Sequence, residues 1–410
     1  MSGNVRIRGV VVIDAAYRLF DADNHFYETT ESFTRYLPER DKSAIRYVDV
    51  DGRKKLVLRG RISEYIPNST FEVVASPGAW ADYFKGVNPE GKSLRELADP
   101  IRCREEFRDP AKRLQLMDAQ GLEASLMFPT LASVLEEHCR DDVDLIHEAI
   151  HAFNRWILDE WTFNYRDRIF AVPVVTLPIV EKAVAELEFL LEHGARTVLV
   201  RPAPVSTPSG ASVSPADPRF DPFWSLVQEA GIPVMMHASD SGYDRYVSDW
   251  EGGRDEYLPF VHTAFRVIVG EDFRPAYDTA AAMVAHGLFA RCPGVRIAFI
   301  ETGTAWVPRL QHHLDMAYRK RPRDFAENPV ETFRRHFWHM PFAEEDMREV
   351  VGYLPADRIV FGSDYPHPEG LAEPSSFASV LEDVGVGNDL VGKIMGENLR
   401  DLMTPQTVAA

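Results

Sequence analysis

Eight short apolar runs, at 17–23, 123–129, 169–177, 197–201, 233–238, 295–301, 337–342 and 358–363, alternate with amphipathic stretches, and nothing else in the chain constrains its fold as much. Consecutive branched and aromatic residues, as in Ile359-Val360-Phe361, want cover on both faces, which is the condition of a strand inside a parallel sheet. The clearest helix between such runs extends from Val180 to His193, where Val180, Val184, Leu187 and Leu191 line one stripe and Gly194 stops it. Eight strands joined by helices predict an α/β chain built as a (β/α)8 TIM barrel. An open doubly wound sheet would instead carry a glycine-rich phosphate turn after its first strand, and none follows Asp23 to Phe26.

A bare barrel needs about 250 residues, so a chain of 410 has room for decoration. Residues 1–410 are read as one barrel domain with two excursions. The insert at 27–108 follows strand 1 and contains a hairpin, in which Tyr47–Val50 and Lys55–Leu58 flank the turn-forming pair Asp51-Gly52. The long loop at 239–274 follows strand 5 and carries Tyr243, Arg245, Tyr246, Trp250 and Tyr257. Both would rise from the catalytic face as a lid or specificity wall, with an oligomer contact as the alternative.

A hydrophobic content of 45% with no bilayer-length apolar run indicates a globular chain with a sizeable core and no membrane span. Met1 to Arg8 has no signal-type apolar segment, so a cytoplasmic location is expected. Cys103, Cys139 and Cys292 are widely spaced and odd in number, against a disulfide framework and against a cysteine-built zinc site. A net charge of −18 disfavours nucleic acid and anionic membranes as partners. A small anionic substrate stays compatible, because a metal and a few arginines reverse the field locally. The tail at 404–410 reads as frayed.

The strand ends carry the chemistry. The run 358–363 finishes in Gly362-Ser363-Asp364-Tyr365-Pro366-His367, which presents an aspartate at the edge where barrel enzymes work; an ordinary capped turn is the plain alternative. Asp23 and His25 alternate at the end of the first run and so share a face, and His237 closes the fifth. Two imidazoles and two carboxylates, from Asp23, His25, His237 and Asp364, form a mixed nitrogen and oxygen set suited to Zn2+, or to Mn2+ or Fe2+ with water in the shell. Glu301 ends the sixth run on the same rim, as a proton carrier or as a helix cap. Arg201 ends the fourth, as a carboxylate clamp or as an ordinary ion pair; Tyr243 and Arg245 of the loop join it as candidate substrate-binding residues.

His147-Glu148-Ala149-Ile150-His151 matches the metalloprotease pattern, but Asn154 and Ile157 stand where its longer form needs glycine and histidine, and Leu145, Ile150, Phe153 and Trp156 mark the helix as one packed on a sheet. His286 reads as mid-helix and structural, and His312 and His313 as a solvated face.

The order Asp-x-His, His, Glu301 and Gly-Ser-Asp-Tyr-Pro along the chain resembles the amidohydrolase superfamily. Within it, Arg113 to Gly121 leading into Leu126 to Pro129, Asp167 to Pro173, and Gly287 to Pro293 resemble the branch of aminocarboxymuconate-semialdehyde decarboxylase and the resorcylate decarboxylases. The resemblance spans about Leu19 to Asp401, outside a divergent insert. Asp23 stands where many members have histidine, and Glu301 where a histidine acts on substrate or water. The resemblance implies a divalent-metal enzyme, a homodimer, that decarboxylates a carboxylated aromatic or unsaturated small molecule without oxidation, with Asp364 or Glu301 as catalytic proton donor. Metal-dependent hydrolysis of an amide, lactone or C–C bond is the alternative, and a non-catalytic binding module the third reading. Trp80, Tyr83, Phe84, Tyr243 and Trp250 in the two excursions suggest a planar substrate or a dimer contact.

Overall fold

The computed structural model describes residues 18–63, 68–253, 263–269 and 273–406, together with a short backbone pairing of Arg6–Ile7 with Val10–Val11. Tyr257 and the last four residues of the tail lie outside the described residues.

Seven strands carry the architecture outside the insert: β1 (Leu19–Asp21), β4 (Leu122–Met127), β5 (Ile169–Ala171), β6 (Val198–Leu199), β7 (Val234–His237), β8 (Ile297–Ile300) and β9 (Phe337–His339), with the hairpin strands β2 (Ile45–Val50) and β3 (Arg53–Leu58) between the first two. Parallel pairing joins β1 to β4, β4 to β5, β6 to β7, β7 to β8 and β8 to β9. Parallel bridges Val174–Leu199, His339–Ile359 and Asn24–Tyr365 continue the order, the last setting the eighth stretch beside the first. β1, β7 and β8 are buried at every position, as strands covered on both faces must be.

Helices α1 (Pro110–Gln120), α2 (Val143–Glu160), α3 (Val180–Glu192) and α4 (Asp221–Ala230) fill the connections. α1 shows why such a segment is helical: Asp109 accepts from the Lys112 N–H, Pro110 starts the first turn, and Gly121 ends it in the left-handed region at φ 74°. In α3 the buried stripe is Ala183, Leu187 and Leu190, with Val180, Val184 and Leu191 half-buried on its flanks, a rotation from the stripe read in sequence.

The strands are shorter than their apolar runs throughout, and two runs fall furthest short, 169–177 and 358–363. Pro173 lacks an N–H, and beyond it the Asn154 side chain of α2 replaces a strand partner, accepting from Val174 N (3.0 Å) and donating to Val174 O (2.7 Å). The eighth run is extended without forming a full strand. Arg358 belongs to a 3-10 turn, Val360 donates to His339 O, and Phe361 donates to Ile394 O of the C-terminal helical segment. Gly362 is required there, since a Cβ would lie 2.2 Å from Met340 Sδ and 2.6 Å from Asp23 Cβ. The hairpin forms as predicted, Val50 opposite Arg53 and positive φ at Asp51 and Gly52. His286 caps the helix Arg274–Ala285 instead of sitting inside it. His312 and His313 are exposed.

Candidate metal centre

Register explains which side chains meet. Pairing of His237 with Ile300 puts His237 beside the residue after β8, Glu301. The bridges Asn24–Tyr365 and His25–Phe128 bring the end of β1 against the eighth run and β4. Glu301 and Asp364 both adopt left-handed backbone, at φ 53° and 54°, which turns each side chain back over the rim at a cost of order 1 kcal/mol.

Three buried atoms converge, and a fourth approaches one of them. His25 Nε2 lies 3.2 Å from His237 Nε2, 3.3 Å from Asp23 Oδ1 and 3.3 Å from Asp364 Oδ1, and His237 Nε2 lies 3.3 Å from Asp23 Oδ1. His237 Nδ1 donates to Ala238 O (2.8 Å), so its proton is on that nitrogen and Nε2 offers a lone pair inward. Asp23 Oδ2 and Asp364 Oδ2 make no hydrogen bond. Bonds of about 2.0–2.1 Å to one ion put neighbouring ligand atoms roughly 3.0–3.4 Å apart, which is the spacing among Asp23, His25 and His237; Asp364 groups with His25 and His367 instead. Lone pairs and carboxylates facing one another at that distance fit a divalent cation.

The surroundings strengthen the case. Glu301, Asp364, His367 and Glu369 present atoms within 4.8 Å of one another. Burial, then the neighbouring carboxylate Asp364, pushes the Glu301 carboxyl well above its usual range; burial, then Glu369, does the same to Asp364. Burial and the nearby His367 hold His25 neutral. Buried like charges of this density are relieved by a cation.

A scaffold of buried polar groups positions the candidate ligands. Asp21 accepts from Ser363 Oγ (2.6 Å), Ser363 N (2.9 Å) and Asp23 N (3.0 Å), tying the first and eighth strand ends together. Arg113, fully buried on α1, donates to His25 O (2.7 Å) and to Asn24. His367 stacks on His25 with centroids 4.0 Å apart, and its Nδ1 lies 2.7 Å from Asp364 Oδ1. Sequence reasoning passed over His367, Glu369 and Glu28. Their signal was spacing: His367 lies three residues beyond Asp364, and Glu28 three beyond His25.

Glu28 Oε1 accepts from the backbone N–H groups of Thr130 (2.9 Å), Leu131 (2.6 Å) and Ala132 (3.3 Å), fixing the loop after β4. Burial pushes its carboxyl up from 4.5 to about 7 against those bonds. The folded state therefore holds a proton that the unfolded chain releases near 4.5, so this group's contribution to stability is full below that pH and is lost as pH rises to about 7. Glu28→Gln keeps an accepting oxygen and removes the titration. Its melting temperature relative to the parent should rise between pH 5 and pH 8, by an amount corresponding to at most roughly 3 kcal/mol; an equal difference at both values would refute the assignment.

Other candidates sit elsewhere. Arg201 pairs with Glu137 (3.0 Å) and Glu136 (3.4 Å), and Arg245 also pairs with Glu137. Neither arginine lines the cavity above the centre, whereas Tyr243 does. The His147 and His151 rings diverge: His147 Nε2 accepts from Ile179 N (3.1 Å) and His151 Nδ1 meets Glu186 (2.7 Å), while Glu148 pairs with Arg40 and Lys182. The two rings are thus turned to different partners, in keeping with a helix packed on the sheet. The three cysteines are free thiols. No helix among the described residues is long and apolar enough to cross a membrane.

The cavity above the centre holds about 1170 Å³ and is lined from both excursions, by Phe71, Trp80 and Phe84 of the insert and Ser241 and Tyr243 of the loop. The insert is tied to the rim where Trp80 N donates to Pro368 O (2.8 Å).

Comparison with known proteins gives a consistent result. The family model described as Amidohydrolase matches residues 21–402. An amidohydrolase from Mycobacterium avium subsp. paratuberculosis K-10 is 37% identical, with TM-score 0.88 over 95% of this chain and 99% of that one. A dihydroxybenzoic acid decarboxylase from Polaromonas sp. JS666, solved with manganese and 2-nitroresorcinol, is 18% identical with TM-score 0.57, covering 79% of this chain and 93% of its own. The 5-carboxyvanillate decarboxylase of Sphingomonas paucimobilis is 15% identical with TM-score 0.56, covering 95% and 100%. These likenesses make the fold a mixed α/β one of the TIM-barrel type.

Proposed function

The chain belongs to the amidohydrolase family, and on that premise we propose that it is a divalent-metal-dependent enzyme that removes carbon dioxide, without oxidation, from a carboxylated ring-containing or unsaturated small molecule. The observation that carries this reading is the meeting of His25, His237 and Asp23 within 3.2–3.3 Å contacts, with Asp364 3.3 Å from His25, at the floor of a largely apolar cavity. Those four residues would hold the ion, with zinc, manganese and iron all compatible with the donors. We take the run of parallel pairings as a closed barrel forming one domain, with the insert and the 239–274 loop as its lid. A homodimer in the cytoplasm completes the reading.

When bound, the ion supplies chelation of the substrate's carboxylate and a neighbouring oxygen, and withdraws charge from the carbon that loses its carboxylate. Phe71, Trp80 and Phe342 give a ring flat apolar contact and exclude water. As the bond to the carboxylate breaks, its electron pair stays on carbon, Glu301 or Asp364 delivers a proton there, and carbon dioxide departs. Hydrolysis of an amide, lactone or C–C bond is the second reading, favoured by Asp364 Oδ2, which makes no hydrogen bond and could take a proton from water.

The test is isotopic. Protein loaded with Zn2+ or Mn2+ and incubated with hydroxylated benzoates in heavy-oxygen water and D2O should release one carbon dioxide per turnover and place deuterium on the vacated carbon. Heavy oxygen in the products of an amide or lactone panel, without carbon dioxide release, would replace decarboxylation with hydrolysis. Failure to take up about one ion per chain would sink both.

A further inference from the structure

The cavity is far larger than one ring requires. A single carboxylated ring fills about 150 Å³, and pockets for small ligands run to about 1,000 Å³, against about 1170 Å³ here. Its lining is also ordered. The floor is acidic, with Glu301, Asp364 and Glu369, whereas the solvent-exposed part of the lining includes Arg53 from the hairpin turn and Arg95 from the short helix Leu94–Leu97. Apolar side chains of the insert, among them Val74 and Leu94, lie on the wall as well.

Among the basic residues that line the cavity, Arg53, Lys55 and Arg95, only the lysine is engaged. Acids outnumber basic residues 63 to 45 in this chain, and buried or rim guanidiniums such as Arg113, Arg201 and Arg266 are all engaged. Arg53 and Arg95 are exposed, and their guanidiniums make no hydrogen bond or ion pair among the described residues. In so acidic a chain, two unpaired cations at the mouth of the cavity create a local field of opposite sign to the whole.

We propose that Arg53 and Arg95 bind an acidic group at the far end of the substrate, which is therefore an elongated amphiphile: a reacting carboxylate at the floor, an apolar body along the insert, and a second anion at the mouth. The inference rests on the decarboxylase reading for the orientation of the reacting end. The second anion is a carboxylate or a phosphoryl group, both of which a guanidinium recognises.

Calorimetric titration of the Mn2+-loaded protein with straight-chain dicarboxylates of 8 to 16 carbons, against monocarboxylates of the same lengths, tests it. At the best length the dicarboxylate should bind about fivefold tighter, since exposed charge pairs contribute modestly and two act together, and added salt should erode the advantage. The Arg53→Ala/Arg95→Ala double variant should lose the preference while keeping its affinity for the monocarboxylate. A phosphonate-tailed probe that exceeds the dicarboxylate supports the site with a phosphoryl tail; the reverse order supports it with a carboxylate tail. No preference at any length, no binding of any probe, or a preference that survives in the double variant overturns the proposal. Repeating the titration on metal-free protein separates the two claims, because a preference that persists there stands on the arginines whatever becomes of the decarboxylase reading.

Discussion

His237→Ala is expected to leave the protein folded but without bound metal, and to lower kcat/KM by about three orders of magnitude or more. The ring is held in one tautomer by Ala238 O, and its Nε2 faces both His25 Nε2 and Asp23 Oδ1. Alanine removes a nitrogen donor and leaves a set dominated by carboxylates, which binds zinc-type ions more weakly and without the fixed direction of an imidazole. Elemental analysis by mass spectrometry after equilibration with one molar equivalent of Zn2+ or Mn2+ gives the first readout, and circular dichroism checks the fold. About one ion per chain in both parent and variant would remove His237 from the ligand set. A metal-free variant with parental turnover would remove the ion from the chemistry.

The two outcomes bear differently on Asp23. As a ligand, a carboxylate at that position would give an ion more charge than a histidine would, which weakens it as a Lewis acid and suits holding substrate oxygens better than ionising water. Asp23 is fully buried, and although burial opposes it, the charge and hydrogen bonds of His237 and His25 hold its carboxyl below the usual range. Its hydrogen-bonded neighbour Asp21 sits in the opposite condition, pushed up to about 7 by burial. Two acids at one strand end thus divide into one shaped for charge and one shaped for structure.

Much of this site was legible because strand-end chemistry leaves a local mark. An apolar run that stops at His237 or Asp364 is visible without any knowledge of contacts, and period two puts Asp23 and His25 on one face. What sequence could not reveal is how the ends are turned. The left-handed backbone at Glu301 and Asp364 depends on tertiary surroundings, as does the crowding of Gly362 against Met340 and Asp23. Arg201 looked like a clamp because it ends a strand, yet Glu136 and Glu137, brought in by a helix some 65 residues earlier in the chain, are its partners. His367 escaped notice because a histidine beyond a proline turn has no periodicity to fix where it points. The end of β5 at Ala171 and the incomplete eighth run were obscured for a related reason: the hydrogen bonds that replace strand pairing come from Asn154 and Ile394, which are distant in sequence.

Glu301→Gln is expected to lower kcat by about 10²–10⁴-fold with metal content and KM little changed. Glutamine matches glutamate in shape and can keep the 3.3 Å approach to His237 Nδ1, so a role limited to orienting that ring would survive the change with turnover within a few-fold. Delivery of a proton would not survive, because an amide has none to give at working pH. Glu301 lines the cavity one residue past β8, at the height of His237, while Asp364 belongs to the set that would hold the ion. A carboxyl whose oxygens are committed to a cation is a poor proton carrier, which leaves Glu301 as the better donor on the rim. Single-turnover measurements on parent and variant, with deuterium incorporation followed at the vacated carbon, separate the chemical step from release of product. An unchanged single-turnover rate in Glu301→Gln would transfer the proton to Asp364 and reduce Glu301 to a positioning residue for His237.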